Sequence, residues 1–416
     1  MKKINYCFLG ANAFSKRAFI LSILAVFFFI CLTTDAPAKS SSEFQSPPVF
    51  QVVPVSKHPF FEDDLDFGHL EEAIQGSIAY YQRLPSARKF SFGKDIFSAS
   101  HLIRSLKRFL TFMKNKPSSK ELSVFIDQHF YVYAYMKNGQ TKSVLFTGYY
   151  EPLLNGSLGQ SEIFRYPVYS RPDDLVTLNV SDFSDGCTEK TVIGRNDGET
   201  IVPYYTRRQI AEMASPGISA SPIAWVKDPV ALFFLQIQGS GKICLENQAM
   251  INVHYQISNG HPYKSIGKYL IDKKKLSKET VSMQTIREYL NTHPDEADEI
   301  FNYNPRYIFF ETVEKGPKGC FNIELTPGRS VALDRSAAPA GALVFIQAQK
   351  PKVEPSGKIS AWVSFSRFLL NQDTGSAIKG PGRADIFWGN GHYAALAAGY
   401  MKHPGQLYYL VLKPGS

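Results

Sequence analysis

Asn371-Gln372-Asp373-Thr374-Gly375-Ser376-Ala377-Ile378-Lys379-Gly380-Pro381-Gly382-Arg383-Ala384-Asp385-Ile386-Phe387-Trp388-Gly389-Asn390-Gly391 is the segment of this 416-residue chain densest in chemistry-bearing side chains. Two carboxylates, Asp373 and Asp385, stand twelve positions apart, with Gly375, Gly380, Gly382, Lys379 and Arg383 between them. Trp388, Gly389 and Gly391 follow. Glycines let the backbone and a ligand approach closely, and an aromatic face can stack on a sugar ring. Taken singly, either aspartate caps a turn more readily than it performs a reaction. The pair, with the tryptophan and the cations, puts the two readings on an equal footing.

Outward from this segment the chain reads as β-rich. Strands are predicted over Phe130–Tyr135, Ser143–Tyr150, Val230–Gln238, Ala249–Ser258, Tyr307–Glu311, Ala342–Gln347, Ala361–Phe365 and Leu407–Leu412. Asn138-Gly139 is a hairpin turn between the first two. Helices precede them, with apolar steps at Leu70, Ile74, Ile78 and Tyr81, then Leu102 to Met113, then Leu122 to Ile126 behind a Ser118–Glu121 capping box. One further helix is predicted over Val281–Asn291. The fold class expected is mainly β with peripheral helices.

At the N-terminus, Lys2, Lys3, Lys16 and Arg17 precede an apolar run from Ala18 to Leu32 that ends in Ala36-Pro37-Ala38. This is the pattern of a secretory signal, residues 1–38, with cleavage after Ala38. The run is shorter than the roughly 18 residues that a spanning helix needs. Cys31 follows the bulky Ile30, which does not suit lipid modification of that cysteine. Residues 39–60, rich in Ser and Pro, read as an extended leader.

Cleavage removes four basic residues and one acidic residue, so the net charge falls from +9 to +6. That excess suits loose attraction to an anionic polymer, and it lacks the dense basic stripe of a nucleic-acid binder. Cys187, Cys244 and Cys320 remain, an odd set that closes at most one disulfide, and no Cys/His spacing marks a metal site. Neither a complete Walker loop nor a Gly-x-Ser-x-Gly elbow is present, and His254 and His261 stand too isolated to ligate a metal.

The segment 371–391 resembles the three-aspartate domain of the membrane-bound lytic transglycosylase A family. The matching elements are Val331-Ala332-Leu333-Asp334, the run Asp373 to Gly380, and Asp385-Ile386. Further motifs follow in family order: Phe146-Thr147-Gly148-Tyr149-Tyr150-Glu151-Pro152, Arg165 to Tyr169, Pro203 to Arg207, Phe234 to Gly241, Asn259 to Gly267, Ser282-Met283-Gln284 and Asn304-Pro305. The resemblance covers the chain from about Phe146 to the C-terminus.

That resemblance implies a six-stranded double-psi β-barrel built from residues 61–152 and 307–416, with a second, β-barrel-like domain inserted at 153–306. A glycan strand of peptidoglycan would lie between the two. Asp385 would be the catalytic acid, Asp373 its support, through Lys379 or by tuning Asp385, and Asp334 structural. Tyr149, Tyr150, Gln236, Gln238, Ser240, Lys379 and Trp388 are the candidate substrate contacts. Gln236, Gln238 and Ser240 alternate as one face of a groove-lining strand would. Core packing for the tyrosines and a hairpin turn for Gln238 to Gly241 are equally open. No cofactor and no metal is expected.

The implied product is a 1,6-anhydro-muramic acid end, formed without water. An inverting hydrolase using Asp373 and Asp385, or a non-catalytic wall-binding module, are the rival readings. The family's name implies a lipid anchor, whereas the Ile30-Cys31 context implies an unlipidated periplasmic monomer, with at most weak association with wall or outer membrane.

Overall fold

The structure is a computed structural model that describes residues 50–180, 191–213, 217–375 and 377–416. The signal segment, its cleavage site, Cys31, Cys187 and Ser376 lie outside the described residues. Six strands close into a barrel: Val144–Tyr149, Arg383–Phe387, Ser330–Ala332, Ile359–Asp373, Leu343–Val353 and His403–Leu412, the last pairing back onto the first. Pairing is parallel between Val144–Tyr149 and Arg383–Phe387 and between Ser330–Ala332 and Ile359–Asp373, and antiparallel elsewhere around the ring. Phe146, Val344, Phe345, Ile346, Phe368 and Leu370 on its strands belong to one hydrophobic cluster, inside and outside the barrel, and are fully buried.

Strand Phe130–Lys137 extends the barrel sheet beside His403–Leu412, and Phe50–Val52 pairs outside it. The expected leader therefore gives way to folded chain by Phe50, ten residues before its predicted end. Asn138 and Gly139, with φ of 56° and 72°, make the tight turn after Phe130–Lys137. Both angles are left-handed, the geometry that Asn-Gly tolerates best.

Helices Leu70–Gln82, Ala99–Met113 and Ser119–His129 cover the barrel through the apolar faces read from the sequence. The Ser118–Glu121 capping box is present, each side chain accepting from the other's backbone N–H. Beneath them lies an ion pair invisible to pattern reading. The Arg329 guanidinium forks onto Asp63 at 2.6 and 2.8 Å, with both side chains wholly buried.

A second sheet runs in the order Ile308–Val313, Met250–Ser258, Ser240–Leu245, Leu153–Ser157, Pro222–Val226, Tyr166–Tyr169. A single bridge between Ser170 and Phe310 links its two ends, so the sheet curls on itself. Ile308–Val313 was expected in the second half of the barrel; it pairs instead with Met250–Ser258 in this sheet.

Residues 229–238 differ most from expectation. They form the helix Pro229–Gln238 rather than a strand. Asp228 caps it by accepting from the Val230 N–H, Pro229 occupies its first turn, and Gly239 ends it at φ 80°. Those are ordinary helix start and stop signals. The near-continuous apolar run between them has no polar face from which to read a period, because the helix is enclosed on most sides. With nine α-helices among the described residues, the fold is mixed, with more strand than helix.

Candidate functional site

Strand register brings the two aspartates together. Ala332 pairs with Asp373 on one side and with Asp385 on the other, and Asp385 pairs in turn with Thr147. The row across four strands is therefore Asp373, Ala332, Asp385, Thr147. Laterally paired residues project from the same face, and two strand spacings put the aspartate Cα atoms roughly 10 Å apart. All four line a cavity of about 460 Å³ whose other wall comes from the second sheet and its helix, through Gln236, Gln238, Ser240, His254 and Tyr255.

The two carboxylates are treated differently by their surroundings. Asp373 accepts from the Tyr149 hydroxyl at 2.8 Å, the Cys320 N–H at 2.9 Å and the Thr374 N–H at 2.8 Å. Burial pushes its pKa up, and these donors pull against that rise. Among the described residues Asp385 has one hydrogen-bond partner, the Thr147 hydroxyl, which donates to Oδ1 at 2.6 Å and itself accepts from Arg383 at 3.3 Å. Burial raises Asp385 to about 6, opposed by Thr147 and by the Arg383 charge, and reinforced by Asp373. Asp385 itself lines the cavity. Asp385 is thus a carboxylic acid that holds its proton close to neutral pH beside a space large enough for sugar rings.

The opposite wall offers unused hydrogen-bonding capacity. Gln236 is 4% exposed, and among the described residues neither its Oε1 nor Nδ1 of His254 has a hydrogen-bond partner. Buried polar atoms are nearly always paired, so two orphans on one cavity wall mark places where a ligand's hydroxyl or amide completes the set.

Of the residues singled out from sequence, Asp373, Asp385, Tyr149, Gln236, Gln238 and Ser240 line this cavity. Gln236 and Gln238 reach it from the helix Pro229–Gln238, and Ser240 from the strand after it, so the alternating-strand argument for the trio does not hold. Tyr150, Lys379 and Trp388 are not among its lining residues. Tyr150 is buried, its N–H donating to Gln238 Oε1 at 3.1 Å and its hydroxyl accepting from Arg287 at 3.5 Å. Trp388 packs in the barrel's core cluster beside Phe365 and Tyr393. It lies against Gly148, where an added Cβ would come within 2.5 Å of the indole nitrogen.

Lys379 is exposed, and its charge acts on Asp334 rather than on Asp373. Asp334 accepts from Ser336 and from the Gly380 N–H, tying down the loop between the two aspartates. Cys244 and Cys320 are free thiols. Thr147 and Cys320 were given no role from sequence. Their place beside the aspartates depends on pairings across 238 and 53 residues that no local pattern announces.

A family model described as the MltA specific insert domain matches residues 145–311, and one described as the 3D domain matches residues 329–411. Membrane-bound lytic murein transglycosylase A of Escherichia coli (strain K12) is 30% identical over 279 residues, covering 66% of this chain and 67% of that protein. Among solved structures, a membrane-bound lytic murein transglycosylase from Agrobacterium tumefaciens superposes with a TM-score of 0.71 at 29% identity, over 87% of this chain and 97% of its own. The E. coli MltA structure with bound chitohexaose gives a TM-score of 0.65 at 23% identity, over 91% of this chain and 100% of its own. Ordered matches to both domains, and a relative of this identity over two-thirds of its length, mean that this chain belongs to the membrane-bound lytic murein transglycosylase A family.

Proposed function

We propose that this protein is a lytic transglycosylase that cleaves the β-1,4 bond between N-acetylmuramic acid and N-acetylglucosamine in peptidoglycan, with Asp385 as its acid and base. One observation carries the reading. Asp385 lines the cavity with a pKa raised to about 6 and one hydrogen bond among the described residues, while Asp373 beside it accepts three.

As the glycosidic bond lengthens, Asp385 donates its proton to the departing oxygen and becomes a carboxylate. The muramic acid C6 hydroxyl oxygen then bonds to C1 and returns its proton to Asp385. The ring closes to the 1,6-anhydro sugar, no water is consumed, and Asp385 is reset. An inverting hydrolase needs a second carboxylate free to activate water. Asp373, holding three hydrogen bonds, is better suited to raising the pKa of Asp385 by charge than to taking a proton.

The relative solved with chitohexaose supports an oligosaccharide as the ligand class. The mixed parallel and antiparallel closure of the barrel supports a double-psi topology. The signal-like residues 1–38 support export to the periplasm, with Gln236, Gln238, Ser240 and Tyr149 contacting the glycan there. Digestion of purified sacculi followed by mass spectrometry tests the reaction. Anhydro-ended muropeptides are expected, and reducing ends heavier by one water would overturn it in favour of hydrolysis.

A further inference from the structure

A second cavity, of about 420 Å³, opens between the helix Leu70–Gln82, the hairpin formed by Lys89–Phe92 and Asp95–Ser98, and the loop 336–340. Its charged lining is of one sign, Arg88, Lys89 and Arg335, with no Asp or Glu among the lining residues. None of these three side chains has an ion pair or a hydrogen bond to a described residue. All three are exposed, and together they give the concavity a positive potential that attracts an anion.

Aromatic rings form the cavity's floor. The Arg335 guanidinium lies 5.5 Å from the Phe321 ring centre, and Phe321 stands 5.4 Å from Tyr80. Arg335, Arg88 and Tyr80 all line this one cavity. Arg83, by contrast, is spent on the wall, donating to the carbonyls of Phe321 and Asn322 at 2.7 and 3.2 Å.

This cavity abuts the catalytic one. Phe321 lines the second cavity, and its neighbour Cys320 lines the first and donates its N–H to Asp373. Arg335 likewise follows Asp334, which holds the loop between the two aspartates. The two linings meet at Cys320 and Phe321, which are neighbours in the chain.

We propose that this cavity is a subsite for an acidic peptide, and that it receives carboxylates of the peptide branches carried by the glycan strand bound at Asp385. Guanidinium forks match carboxylates in two-pronged geometry, and the aromatic floor accepts the apolar parts of a short peptide. The inference rests on the peptidoglycan reading above and adds to it a preference for peptide-bearing over bare strands.

The test compares the parent with Arg88→Ala, Arg335→Ala and Arg335→Lys on two substrates, glycan strands with intact acidic peptides and the same strands after the peptides have been removed. Each alanine variant should raise KM about tenfold on peptide-bearing strands, the cost of one lost charge-assisted contact, and leave bare strands unaffected. Arg335→Lys should recover part of the loss. Equal losses on both substrates, or none on either, overturn the subsite.

A binding arm stands apart from turnover. Calorimetry on the Asp385→Asn protein with a soluble disaccharide carrying its tetrapeptide should show binding that the Arg88→Ala and Arg335→Ala changes weaken. Inorganic phosphate or phosphatidylglycerol vesicles binding there with the same dependence, and the disaccharide-tetrapeptide not, would overturn the peptide assignment. A parent without turnover on either substrate would sink the enzymatic reading, and the binding arm would still decide the subsite.

Discussion

Replacing Asp385 with Asn should abolish turnover and, at neutral pH, make the protein more stable. Burial lifts this carboxyl from 3.8 to about 6 in the folded chain. Between those two values the folded state keeps a proton that the unfolded state has released. Stability therefore falls as pH rises through that window. Below it both states are protonated and nothing is lost; above it the whole cost of burying a charge is borne. A gap of about two pH units, at about 1.4 kcal/mol each, is a penalty of roughly 3 kcal/mol. Asn keeps the shape, can still accept from Thr147, and carries no charge. Urea unfolding at about pH 7.5 should show the variant more stable by roughly 2–3 kcal/mol, with the difference vanishing near pH 4. Turnover of sacculi should fall about 10²–10⁴-fold, the usual loss when general-acid help is removed. A variant less stable at pH 7.5, or a gain unchanged between the two conditions, would refute burial as the origin of the raised pKa. Residual activity near the parent's would remove Asp385 as the acid.

The neighbours of Asp385 should shift its titration in opposite directions. Thr147→Val removes a donor that favours the carboxylate, so the alkaline limb of the pH–rate profile should move up by about one pH unit. Asp373→Asn removes a repelling charge and should move the limb down; shifts of the same sign would contradict the arrangement. Tyr150→Ala should act through packing, lowering unfolding free energy by about 3–5 kcal/mol, and unchanged stability with weakened glycan binding would show that the ring contacts substrate after all. Asp63→Ala leaves Arg329 charged and buried without its partner, which should cost about 3–5 kcal/mol in denaturant unfolding, whereas a loss under about 1 kcal/mol would mean that water reaches the pair. Gly148→Ala should cost about 1–3 kcal/mol by driving Trp388 from its place against the strand, and a crystal structure with the indole unmoved would count against that account.

Much of this protein was readable along the chain wherever the signal is local. The helix Leu70–Gln82 shows its buried stripe at steps of three and four, the Ser118–Glu121 box marks a helix start, and Asn138-Gly139 dictates a left-handed turn. Each depends on a few adjacent residues. The family resemblance singled out Asp373 and Asp385 and placed them in ordered motifs. It did so without showing what surrounds them.

Tertiary structure decided the rest, because the remaining questions are about partners distant in sequence. The run Phe233 to Leu235 lies in a helix enclosed by other elements, and an element without a polar face loses the periodicity that separates helix from strand. Trp388 looks like a sugar platform beside the aspartates, yet the strand's alternation sends it to the core, one step beyond Phe387 and three beyond Asp385. Only the barrel's closure sets Ala332 between Asp373 and Asp385 and brings Thr147 onto the acid. The sequence alone singled out the two aspartates proposed to carry the chemistry. Their pKa values, set by burial and by contacts hundreds of residues apart, were decided by the fold.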